Sequence, residues 1–245
     1  MDLSLVIWLA LLGAAPAAPQ ADGVVPRLEA LAASGSGEAA YHLGMIYHLG
    51  LSGVPKNPAK AFEQFKLATE RGDALGAYKL GCFYAGQGDG TIAPDPRLAL
   101  RWKLVAAEAG YARAQEEVAE TLRQGGDLAG ALPWYEAAAR QGSPRALMLL
   151  GILYDPKPSG AAIAPDRVKS YAYMAVFFNS SPSPDMAIAG ARILADTAKR
   201  MSAAEVERAK GLVRDWREER TPLTRRADLG ISAAETLIAA NPSGR

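Results

Sequence analysis

What this sequence has little of narrows its function first. One cysteine, Cys82, and two histidines, His42 and His48, stand among 245 residues. A single thiol forms no internal disulfide, so stability must come from packing. His42 and His48 are six apart, about 240° around a helix axis, and do not share a metal as an i, i+4 pair does; both are expected as surface histidines. The net charge of +1 provides no field to recruit nucleic acid or an acidic membrane. A phosphate loop, a G-x-S-x-G elbow and an S-x-x-K pair are all missing. The stretch GQGDGT at 86–91 reads as a loop between helices, and Cys82 as a buried or half-buried bystander thiol. These absences predict no catalytic, cofactor-binding or metal-ligating residues, and no cofactor.

What is present is a repeat. An Asx residue opens a helix and a turn residue closes it fifteen positions later, in the pairs Asn57–Gly72, Asp95–Gly110, Asp127–Gly142 and Asp166–Ser181. Asn and Asp cap helix N-termini, and glycine is favoured just past a helix end. After each closing glycine a second stripe follows at offsets four, eight, nine and twelve. It reads Ala39, Leu43, Gly44, Tyr47, then Gly76, Leu80, Gly81, Tyr84, then Ala146, Leu150, Gly151, Tyr154. The copy after Gly110 is worn, with Ala114, Val118, Ala119 and Leu122. Such spacing makes an amphipathic helix, and its glycine suits a close, backbone-to-backbone neighbour. Each unit is thus helix A, a loop, helix B and a tight turn. Closing glycines are 37, 38 and 32 residues apart, the short third unit having lost its A-to-B loop.

The strings AAYHLGMIYHLGLSGVPKNPAKAFEQFKLATERG and GAYKLGCFYAGQGDGTIAPDPRLALRWKLVAAEAG resemble Sel-one-like repeats (SLR), a branch of the tetratricopeptide superfamily. The carried motif is A-x-x-x-L-G-x-x-Y, a glycine-bearing loop, then A-x-x-W-x-x-A-A-E-x-G. Trp102, Trp134 and Tyr173 take the helix B aromatic position, where repeat one has Gln64 with Phe65 beside it. The resemblance implies an all-α fold, a right-handed α-solenoid of stacked helix-turn-helix repeats. About four and a half repeats over 35–200 are expected, plus C-terminal capping helices. It also implies a non-catalytic protein–protein interaction scaffold of the bacterial cell envelope, monomeric, with a protein or peptide as partner. Two alternatives are a secreted effector that binds a eukaryotic host protein and, less favoured, a cell-wall or β-lactam-processing enzyme.

The ends carry their own signals. Residues 1–21, with the apolar run LSLVIWLALL at 3–12, read as a signal peptide or N-terminal anchor. Export to the periplasm follows, with secretion or N-terminal tethering as alternatives and no membrane insertion after signal removal. A lead-in helix is expected at 22–34 and an unpaired fifth helix A at 185–201. Ser202 and Glu205 predict a capping box opening a capping helix over 201–218. Residues 219–245 read as a linker (219–230), a short helix opened by a second capping box of Ser232 and Glu235, and a frayed end.

If offsets four, eight and twelve centre the core, offsets six, ten and thirteen point about 140° to 180° away, toward a concave groove. The residues expected there to bind the partner are Tyr41, Met45, His48, Tyr78, Cys82, Glu116, Glu120 and Arg123. The worn third unit is expected to stack least well on the second. Its Ala119 adds a methyl group where the others have glycine.

Overall fold

The computed structural model describes residues 23–155, 163–181 and 183–242. The expected signal segment and the last residues lie outside them. Within the described residues the fold is an all-α solenoid. After a first helix α1 (Val24–Ala33) come four A/B pairs: α2 (Gly37–Leu49) with α3 (Pro58–Glu70), α4 (Ala74–Cys82) with α5 (Pro96–Glu108), α6 (Ala112–Gln124) with α7 (Leu128–Arg140), and α8 (Pro144–Tyr154) with α9 (Arg167–Asn179). Four helices complete the chain: α10 (Pro184–Ala198), α11 (Ala203–Asp215), α12 (Pro222–Leu229) and α13 (Ile231–Ala240).

The repeat seen in sequence is a repeat of hydrogen bonds. Asn57, Asp95, Asp127 and Asp166 each accept with the side chain from a first-turn N–H of a thirteen-residue B helix. The backbone N–H of each of these caps also donates to the carbonyl of the offset-twelve residue of its own A helix. The bonds are Asn57 to Tyr47 at 2.7 Å, Asp95 to Tyr84 at 2.8 Å, Asp127 to Leu122 at 2.9 Å and Asp166 to Tyr154 at 2.9 Å. One bond therefore closes the A-to-B connection whether the loop is long or reduced to residues 125–127. At the far end of each B helix a six-to-one bond satisfies an orphan carbonyl: Asp73 to Ala68, Tyr111 to Ala106, Ser143 to Ala138. Ser36 to Leu31 repeats it after α1, with Gly35 at φ 109°. The expected lead-in helix thus ends as a B helix does, with no A partner among the described residues.

Residue eight after each B-helix cap presses on the offset-nine residue of its A helix. A Cβ on Gly44 would lie 2.5 Å from the Phe65 ring, and one on Gly151 would lie 2.5 Å from Met174 Cγ. Only Gly81 meets backbone, with the same added atom 3.0 Å from the Ala99 carbonyl and 3.2 Å from the Lys103 nitrogen. The backbone-to-backbone reading of these glycines therefore holds for one of three; the other two accommodate a large side chain. Ala119 is fully buried beside the equally buried Tyr135. Its methyl group fits, and it does not push α7 outward.

Both ends depart from expectation. The capping box of Ser202 and Glu205 is present, but α11 packs on α9. Met186, Ile188 and Ile193 of α10 remain exposed. Residues 219–230 are no linker, because Thr221 caps α12 within them. No capping box of Ser232 and Glu235 opens α13; it follows α12 directly through Gly230, with Ser232 already inside the helix. The segment runs back along the array, and α13 packs on α1 and α2 with Ala234 and Ile238 in the first core cluster. The C-terminus therefore covers the N-terminal end of the stack.

Candidate functional site: the A-helix wall and its C-terminal strap

Of the residues expected to line an open groove, three are buried. Tyr41, Tyr78 and Cys82 are 6, 5 and 6% exposed. Offset six faces the next repeat, not solvent. The Tyr78 hydroxyl donates to Glu117 at 2.8 Å, and its ring meets that of Tyr111 edge-on at 4.9 Å. Cys82 packs with Ala106, Ala114 and Val118, and burial pushes its thiol pKa up. Tyr41 packs toward Phe65, with the guanidinium of Arg226 5.8 Å from its ring centre. Met45 and His48 are half-buried; the His48 ring lies against Phe65 and Phe83. His42, expected on the surface, is 1% exposed, its Nε2 3.7 Å from Glu38. Helix α2 is enclosed by α1, α3, α4 and α13, which leaves little of its circumference free.

Glu116, Glu120 and Arg123 belong to an ionic ladder on α6. Glu116 accepts from the Ser143 hydroxyl at 2.6 Å and lies 3.5 Å from Arg145. Glu117 receives Tyr78, Lys103 Nζ at 2.9 Å and Arg113 at 3.2 Å. Lys103 occupies the buried B-helix position that Phe65 and Tyr135 hold elsewhere, which explains a nearly buried ammonium. Glu120 accepts from Tyr135, Arg123 and Gln124. The carboxylates are engaged within the protein, and what α6 and α8 present outward is Arg113, Arg123 and Arg145, with side chains 69, 41 and 51% exposed. Ile152 on α8 is 42% exposed.

The Arg123 hydrogen bond, with help from Tyr135 and Gln124 against the effect of burial, holds the Glu120 carboxyl down to about 2. A depressed carboxylate pKa stabilises the fold above the unfolded value, and that contribution is lost as pH falls toward the folded one. Thermal stability is therefore expected to drop between about pH 4.5 and pH 2. Glu120→Gln is expected to flatten that slope, which melting curves across the range would measure. An unchanged slope would remove Glu120 from the acid response.

The strap of residues 216–240 crosses the B-to-A turns in reverse order. The Glu219 N–H donates to Arg140 O at 2.9 Å. At the next turn four side chains satisfy one another. Thr221 Oγ1 donates to Gly110 O at 2.8 Å, and Gln141 Nε2 donates to the same carbonyl and to Gln115 Oε1, both at 2.9 Å. The Thr224 hydroxyl donates to Gln141 Oε1 at 2.7 Å and accepts from the Ala112 N–H at 3.0 Å. With Thr221 N–H also on Gln141 Oε1 at 3.1 Å, both donors and both lone pairs of that amide are used. Ser36, Asp73, Ser143 and Ser183 cap their own A helices, whereas Tyr111 at the start of α6 offers no side-chain acceptor. Thr224 supplies the missing cap from more than a hundred residues away. At the following turn Arg226 Nη2 lies 2.6 Å from Asp73 and Nη1 3.3 Å from Glu38.

Thr221, Thr224, Gln141 and Arg226 were not legible as a site. The one available signal was Tyr111, a tyrosine where its counterparts are Ser or Asp. Among the described residues no group of three metal-ligating side chains occurs, and no helix is long and apolar enough to cross a membrane.

The Sel1 repeat family matches residues 37–73, 74–111 and 114–143. A protective antigen of uropathogenic Escherichia coli with an SLR fold is similar in structure, with a TM-score of 0.58 and 27% identity over 82% of this chain and 43% of that one. This chain thus spans less than half of that protein's length. A Sel1 repeat protein from Oxalobacter formigenes has a TM-score of 0.55 at 22% identity, over 82% of this chain and 86% of its own. The matched segments end at the B-to-A turns, at residues 73, 111 and 143, and α8 with α9 continues the stack beyond them. Residues 37–143 carry three Sel1 repeats.

Proposed function

We propose that the protein is a non-catalytic scaffold of the bacterial envelope, exported and acting by holding another protein. Sel1 repeats generally serve protein–protein interaction, and the family match is the basis for that coarse reading. The observation that carries the finer one is the half-exposed arginine row Arg113, Arg123 and Arg145, each anchored by a carboxylate of α6, beside exposed Ile152. Anchored guanidinium groups lose little entropy on binding and form planar bidentate contacts. An exposed isoleucine next to them adds an apolar anchor. This combination suits an acidic polypeptide with an apolar residue in register.

A photo-crosslinking residue at Arg123 or Ile152, introduced in the native cell, tests the reading. It is expected to give a discrete adduct with one envelope protein, while the same residue at exposed Lys66 on α3 gives none. Identical adducts from both faces, or none from either, would overturn the assignment of this wall as the binding surface. Recovery of the protein only from the cytoplasmic fraction would overturn the envelope assignment.

A further inference from the structure

The B helices share one register, and one of them departs from it in a way that leaves a hole. Seven residues after the caps Asn57, Asp95, Asp127 and Asp166 stand Gln64, Trp102, Trp134 and Tyr173. Repeat four shows what the aromatic residue does. The Tyr173 ring stacks on Tyr154, the offset-twelve tyrosine of its own A helix, with centroids 6.0 Å apart and planes 11° from parallel. Lys169 Nζ lies 4.7 Å from the centre of the same Tyr154 ring.

Repeat one reproduces this arrangement with one part missing. Tyr47 takes the place of Tyr154, and Lys60 Nζ is 5.2 Å from its ring centre. Gln64 stands where Tyr173 would be, and no ring among the described residues stacks on Tyr47. In the space lies a cavity of about 540 Å³ lined by Tyr47, Lys60, Phe62, Gln64, Thr91 and Ile92.

We propose that this cavity is a binding site for an aromatic side chain of a partner polypeptide, which stacks on Tyr47 as Tyr173 stacks on Tyr154 in repeat four. An aliphatic side chain of similar size would fill the space without a ring to stack. Lys60 at the rim adds a cation beside the bound ring. The Lys56–Asp89 ion pair, at 2.6 Å, joins the loop before α3 to the loop that carries Thr91 and Ile92, so both walls of the mouth are held in place. The site lies on the B-helix and loop side, separate from the arginine row, and stands independently of the scaffold reading given for that row.

The test uses the full-length protein and three small probes: N-acetyltryptophanamide, N-acetylphenylalaninamide and N-acetylleucinamide. Binding is followed by NMR through the Gln64 side-chain amide and the Tyr47 ring signals. The two aromatic probes are expected to saturate these shifts with at least fivefold higher affinity than the leucine probe. Gln64→Trp should abolish binding while helicity and melting temperature are kept, because it fills the space from within as Tyr173 does in repeat four. Ile92→Lys, a loop change with little bearing on folding, should weaken binding at least tenfold. Absence of saturable binding, equal affinity for all three probes, or binding that survives both substitutions would overturn the proposal.

Discussion

Truncation after Glu218 is expected to lower the melting temperature on the order of 10 °C, far more than the loss of a C-terminal tail usually costs. The removed segment brings Ala234 and Ile238 into the first core cluster, with Leu223 and Leu237 packed against it. A buried isoleucine contributes about 1.5–3 kcal/mol, and the cap that Thr224 gives α6 about 1 kcal/mol. Arg226 also leaves Asp73 and Glu38. Set against the entropy of the ordered strap, a net loss of about 3–5 kcal/mol follows, and each kcal/mol moves a domain of this size by roughly 2–4 °C. Hydrogen exchange locates the loss: α1, α2 and the first turn of α6 should open first. Thr224→Val isolates the cap, with an expected cost of about 1–2 kcal/mol concentrated in α6. A truncated protein that melts with the full-length one would show that the strap rests on the array without stabilising it.

Phe65→Ala is expected to cost about 3–5 kcal/mol, the usual range for deleting a fully buried phenylalanine. Phe65 has no exposed surface and sits directly on Gly44. It also contacts Tyr41, His48 and Phe83 through ring centroids 5.8–6.3 Å away. The cavity left would join repeats one and two at their contact. Because solenoid stability is a sum of near-neighbour terms, unfolding should become less cooperative, with repeats one and two lost before α8 and α9. Gln64→Ala, at the adjacent residue, is the control and should cost less than about 1 kcal/mol, since its buried oxygen has no partner to lose. Denaturation followed by intrinsic tryptophan fluorescence would compare the two. Equal effects would mean that the residue seven after the cap, not the residue eight after it, bears on α2.

Residues seven and eight after each B-helix cap explain where reading the sequence succeeded and where it failed. Asx caps, closing glycines and the A-helix stripe are local signals, set by backbone groups within one helical turn. They gave helix starts, helix ends and the order of the stack from residue spacing alone. The same spacing placed Trp102, Trp134, Tyr173 and Gln64 in one register. It did not say which of residues seven and eight touches the A helix. That depends on how far α3 is rotated about its axis against α2, a single angle that shifts contacts by 100° between neighbours.

Groove and strap failed for a related reason. An A helix in a solenoid meets its own B helix, the preceding B helix and the next A helix, so a residue about 140° from the core stripe is not thereby solvent-exposed. Tyr78 and Cys82 lie in that third contact, and burial of their rings and sulfur against repeat three is a property of the stack. The C-terminal segment reads as a linker because TPLTRRADLG has turn residues, charge and little apolar periodicity. It is ordered by partners more than a hundred residues distant: the Gly110 carbonyl, the Ala112 N–H and the Asp73 carboxylate.

The sequence by itself determined the repeat, its helix boundaries, the resemblance to Sel1 repeats and the position of the missing aromatic residue, because each is written in interactions that span a few residues. Only the tertiary structure decided that α11 leaves α10 uncovered, that α13 packs on α1 and α2 and that Thr224 caps α6. Those outcomes rest on which unsatisfied backbone and apolar groups come within reach after stacking, and reach is a property of the assembled array.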